Sequence, residues 1–155
     1  MKIGIIVHSK TGNTLSAALK IQEKLIVGGH SAEIAKVIPV DEQVYDAQSV
    51  RLQTKPSIDK YDALVLCASV RGGKLSPAMA AYLNEIRTFS GKKAACLLTQ
   101  FFPFSAWGGN QAMAQMTGIL SSKGAEVQGT AIVHWSSFSR KKQIADAGNS
   151  LSALF

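Results

Sequence analysis

The residues with the plainest chemical use are Ser9, Lys10, Thr11, Gly12, Asn13 and Thr14. Three hydroxyls, an amide and a glycine crowd into one run after the apolar segment Lys2–His8 and before an amphipathic segment beginning at Leu15. A strand, a loop of hydroxyls and glycine, and then a helix form the geometry of a phosphate cradle. Backbone N–H groups can turn inward, and the positive end of the helix dipole lies behind them. Many neutral donors at once suit a terminal phosphate monoester. The run lacks the Gly-Lys-Ser/Thr ending of a triphosphate loop and the G-x-G-x-x-G of a dinucleotide loop. A plain helix cap needs only one such residue.

Two other stretches are poised for a flat ligand. Ser69, Val70, Arg71 and Gly72 open a loop running to Ser76 that offers amides and carbonyls to a ring edge. Arg71 can neutralise charge on a reduced ring, meet an incoming anion, or simply face solvent. Phe101, Phe102, Pro103, Phe104 and Trp107 load a third loop with aromatics suited to stacking. At least one of these phenylalanines is expected to pack back into the core. Gly108 and Gly109 would let backbone N–H groups approach ring oxygens.

His8 ends the first strand beside the phosphate loop, His30 follows Gly28-Gly29 in a solvated turn, and His134 closes the fifth strand. Their spacing gives no metal triad and no nucleophile–base pair, so no metal and no catalytic side chain are expected. Cys67 and Cys96 lie inside apolar runs without metal or redox spacing and read as reduced core thiols.

These residues are placed by alternating elements. Residues 2–8, 32–37, 63–68, 93–100 and 126–135 read as strands. Residues 14–27, 77–89, 110–123 and 140–154 read as helices, with a short helix expected near 42–51. Gly28-Gly29 stops the first helix, Pro39 stops the second strand, and Ser76-Pro77 starts the second long helix. Such alternation predicts an α/β fold: a five-stranded parallel sheet in a three-layer α/β/α sandwich. With no linker or repeat, residues 1–155 read as one domain. In an open sheet of this kind, ligands bind beyond the carboxyl ends of the strands, where all three loops fall.

Composition narrows the partners. Of 155 residues, 46% are hydrophobic, enough for a sizeable core. The net charge of +7 is scattered, with one tight cluster at Arg140-Lys141-Lys142. Nucleic-acid binding would concentrate cations on one face with aromatics interleaved, and is not expected. A basic surface favours an acidic redox partner or an anionic substrate. No apolar run is long enough to span a membrane, and the chain enters a strand at once without a secretory leader pattern. A soluble cytoplasmic protein is expected.

The run Ser9-Lys10-Thr11-Gly12-Asn13-Thr14 resembles the FMN-phosphate loop of the flavodoxin family, and the order of elements is similar over nearly the whole chain. The resemblance implies strand order 2-1-3-4-5 and non-covalent FMN. It places the phosphate in loop 9–14 and the ring between loops 69–74 and 101–109. The chain departs from electron-shuttle flavodoxins in being basic and in lacking an aromatic in the second loop. Ser69-Val70-Arg71-Gly72 and Trp107-Gly108-Gly109 are similar in part to flavodoxin-like NAD(P)H:quinone oxidoreductases, with Gly72 in place of an aromatic and Trp107 in place of a histidine. The resemblance implies electron transfer through FMN to a redox partner protein. Its alternative is an FMN-dependent enzyme oxidising NAD(P)H and reducing quinones or similar acceptors. A phosphate-accepting receiver domain is set aside, because the ends of strands one and three lack carboxylates.

Overall fold

Inner strands with unbroken apolar sequence need cover on both faces, and the fold supplies it. The computed structural model describes residues 1–155. From the N-terminus, β1 (Lys2–Val7) leads to α1 (Asn13–Val27) and β2 (Ser31–Lys36). A small antiparallel ribbon of β3 (Ile38–Pro39) and β4 (Leu52–Thr54) brackets a 3-10 turn at Ala47–Ser49. Then come β5 (Ala63–Arg71), β6 (Lys74–Leu75), α2 (Pro77–Glu85), β7 (Lys93–Gln100), α3 (Gly109–Ser122), β8 (Glu126–His134) and α4 (Arg140–Ser152). The main strands pair in parallel in the order β2-β1-β5-β7-β8. This is the expected 2-1-3-4-5 order.

The period of two sorts side chains between two cores. Ile3, Ile5, Val7, Val65, Cys67 and Leu97 pack with Ala18, Ile21 and Leu25 of α1 and Leu151 of α4. Ile6, Leu64, Leu66, Cys96 and Leu98 pack on the opposite face with Met79 and Leu83 of α2 and Met116 and Leu120 of α3. Gly4 makes room for the Tyr61 ring, since a Cβ there would lie 2.4 Å from it.

Cys67 and Cys96 therefore sit on neighbouring strands but opposite faces, and both are free. Burial pushes the Cys96 thiol up from 9.0 to about 12. Cys67 is pushed up too, by burial first and by Cys96 second. A raised folded value means the contribution is intact below pH 9.0 and lost as pH climbs toward about 12. We expect stability to fall by ~1.4 kcal/mol per pH unit per thiol in that window. Urea melts run from neutral to alkaline pH measure this, and a flat profile above pH 9 contradicts it. A thiol reagent should label neither cysteine in native protein.

Four local expectations are corrected. Of residues 42–51 only Ala47–Ser49 turns helical, as a single 3-10 turn rather than a helix over the whole stretch. The Asp46 side chain accepts from the Gln48 N–H and seeds the 3-10 turn, and the Val40 N–H bonds to the Arg51 carbonyl in the ribbon. Pro39 is not what stops the second strand: β2 already ends at Lys36, and Pro39 lies in β3 of the ribbon, paired with Leu52. Helix α2 stops at Glu85 rather than Phe89. Ile86 turns extended, and the Lys123 ammonium donates to the Leu83, Asn84 and Ile86 carbonyls left open at the helix end. Finally, β5 continues through Ser69, Val70 and Arg71, then reverses at Gly72-Gly73 into β6. Both glycines take positive φ, 59° and 76°, which a tight two-residue hairpin requires.

Candidate functional site

The carboxyl ends of β1, β5, β7 and β8 surround one cleft of about 220 Å³. It brings together Lys10, Thr11, Asn13 and Thr14 from the first loop, Ser69, Val70 and Arg71 from β5, and Phe101 from the third loop. His8, Thr99, Gln100 and Trp135 complete its lining. The walls thus carry the cations Lys10 and Arg71 and no carboxylate.

The first loop is shaped by Gly12, whose φ of 94° turns the chain into α1. The Ser9 hydroxyl oxygen accepts from the N–H groups of Gly12 (3.1 Å) and Leu15 (3.2 Å), tying the loop to the first turn of the helix. The N–H groups of Lys10, Thr11, Asn13 and Thr14 have no acceptor within the chain. Thr14 is buried, and its hydroxyl bonds that of Thr99 at 2.7 Å, pinning the loop to the end of β7. Donors without acceptors, two cations and a helix N-terminus make an anion nest.

The second loop packs directly on the third. Gly108, at φ 108°, lies so close that a Cβ there would sit 2.7 Å from the Gly73 Cα. Gly109 similarly abuts the Gln100 amide, whose Nε2 donates to the Trp107 carbonyl at 2.7 Å and whose Oε1 is buried without a partner. The Gly108 N–H is donated to Gln111 Oε1. Gly108 and Gly109 are buried behind the cleft lining. Gly72 is in the hairpin turn.

Phe101, Phe102, Phe104 and Trp107 pack on each other edge to face, with ring centroids 4.8 to 5.8 Å apart. All four remain more than half exposed, from 52% to 67%, so the expectation that one phenylalanine enters the core is corrected. Only Phe101 of this cluster lines the cleft; Phe102, Pro103 and Trp107 face outward from it. His134 clamps the loop, with Nδ1 at 2.9 Å from the Phe102 carbonyl and Nε2 at 3.1 Å from the Ser105 hydroxyl.

Arg71 is half-buried rather than simply solvated. It donates to the Glu42 carbonyl at 2.7 Å and lies over the Tyr45 ring, 4.2 Å from its centroid. Glu42 also reaches His8 Nε2, at 2.8 Å through Oε1 and 3.2 Å through Oε2. His8 Nδ1 lies 2.9 Å from the Ser76 hydroxyl. Ser76 is fully buried at the start of α2, so this serine–histidine–glutamate array offers no nucleophile to a substrate.

Thr99, Gln100, Trp135 and Glu42 were not among the residues expected from sequence. The signal for the first three was their position, since each lies at the end of a strand where this fold binds ligands. Glu42 carried no such signal. Side-chain clusters of histidine, cysteine and carboxylates with the makeup of a metal site are absent, and no helix is long and apolar enough to cross a membrane.

No protein-family model matches the sequence, and no curated protein matches it. Solved structures do match by shape. Oxidised flavodoxin 2 from Bacillus cereus superposes with a TM-score of 0.69 at 20% identity over 100% of both chains. A flavodoxin from Streptococcus pneumonia TIGR4 gives 0.69 at 16% identity, again over 100% of both. A flavoprotein in complex with FMN from Lactobacillus acidophilus NCFM gives 0.63 at 18% identity, over 84% of this chain and 92% of its own. Likeness at these identities is likeness of fold, and by strand order, layer arrangement and whole-chain superposition this chain has the flavodoxin-like fold.

Proposed function

We propose that this chain binds FMN without a covalent bond and passes electrons between protein partners. The observation that carries the reading is the first loop. Its unpaired N–H groups on Lys10, Thr11, Asn13 and Thr14 form a donor set that fits a phosphomonoester, with Lys10 supplying charge. The flavoprotein of the same fold that was solved with FMN supports the choice of ligand. Ser69, Val70 and Arg71 would hold the ring edge, with Phe101 as the aromatic nearest the cleft. The bound flavin supplies the redox chemistry, and the protein orients it and sets its electrostatics. The basic surface favours an acidic protein partner, and the buried reduced thiols are consistent with a cytoplasmic setting.

The test is spectral. Purified protein mixed with FMN should show a perturbed flavin absorption, and anaerobic NADPH should then leave the flavin oxidised over minutes. Rapid bleaching would replace the carrier by an NAD(P)H-oxidising enzyme. An unperturbed flavin spectrum would end the reading altogether.

A further inference from the structure

The geometry points to His8 as a proton-holding group linked to reduction of the flavin, an inference that rests on the FMN reading above. His8 is 3% exposed yet forms part of the cleft wall. Both ring nitrogens are engaged, and by partners of different kinds. A carboxylate only accepts, so Nε2 carries a hydrogen and donates to Glu42. The Ser76 hydroxyl can donate or accept, so Nδ1 can be bare or protonated without losing its partner. The imidazole can therefore change charge inside the protein while staying hydrogen-bonded, which is what a buried acid–base group needs.

The surrounding charges decide the sign. Glu42 and Asp41 face His8 from the connection after β3, and favour its cationic form. Lys36 from β2, Lys10 from the first loop and Arg71 from β5 oppose it. Only Glu42 is in hydrogen-bond contact. Negative charge arriving in the cleft tips this balance toward the imidazolium. Two electrons and one proton added to a bound flavin would leave the ring with one extra negative charge, and His8 Nδ1 would then take a second proton from solvent, its new N–H donating to the Ser76 oxygen as that hydroxyl turns. No other bond forms or breaks.

The test uses the FMN-loaded protein with 15N-labelled histidine, oxidised and then reduced with dithionite, followed by NMR at several values between pH 5 and 8. Expected on reduction is a shift of the His8 Nδ1 resonance from its unprotonated toward its protonated position at constant pH. In Glu42→Gln, which keeps a hydrogen-bond acceptor but removes the charge, that shift should shrink or require lower pH. An Nδ1 resonance that is identical in the two redox states across the range overturns the inference. If flavin does not bind at all, the absorption spectrum shows it first, and the functional reading has failed instead.

Discussion

Gly108→Ala is expected to lower unfolding stability by about 2–4 kcal/mol and to weaken flavin binding more than tenfold. Two effects add. At φ 108° an alanine is strained whatever space surrounds it, and its Cβ would meet the Gly73 Cα at 2.7 Å. That neighbour is backbone in a tight hairpin and cannot rotate away. The second and third loops would be driven apart at the point where both approach the cleft. Gly118→Ala is the matching control. It lies inside α3, exposed, with nothing within 4 Å of a new Cβ. It should raise stability by about 0.5–1 kcal/mol and leave flavin affinity unchanged. Urea denaturation and flavin titration of both variants check the pair. Equal behaviour of the two alanines would contradict the close-packing argument.

Thr14→Val should cost about 1–3 kcal/mol, because it strands the Thr99 hydroxyl in a buried site. Thr99→Val should cost a similar amount for the mirror reason. The double variant should cost clearly less than the sum, since removing both partners leaves no unpaired hydroxyl. Flavin affinity should drop in all three, because this bond holds the first loop to β7. A double-mutant cycle in urea with no coupling would show that the 2.7 Å contact contributes nothing.

Most of the architecture can be read along the chain. Ile3–Val7, Ala63–Ala68 and Ala94–Leu98 are apolar without pause, and strands covered on both faces have that composition. Ser76-Pro77 and Gly28-Gly29 mark helix ends by local chemistry. What escaped was set by contacts distant in sequence. The His8–Glu42 pair spans 34 residues and the Thr14–Thr99 pair 85, and nothing local in either partner announces the other. Residues 42–51 carry helix-tolerant composition, but Asp46 and the Val40–Arg51 bond commit them to a turn and ribbon. The β5–β6 hairpin had a readable signal in Gly72-Gly73, outweighed by the expectation of an open ligand loop. Gly108 and Gly109 also serve a packing role that the sequence does not announce, against the Gly73 backbone and the Gln100 amide. The rings of the aromatic loop pack edge to face on one another and remain outside the core.

The most direct measurement of the central claim is a paired titration of the apo protein with FMN and with riboflavin, followed by flavin fluorescence. The two ligands share the ring and differ in the phosphate. Charge-assisted hydrogen bonds are worth about 1.5–3 kcal/mol each, so losing several should make riboflavin bind at least ~100-fold more weakly. Tight FMN binding with feeble riboflavin binding is the result predicted from the unpaired N–H groups of Lys10, Thr11, Asn13 and Thr14. Equal affinity for both, or no binding of FMN, would contradict it.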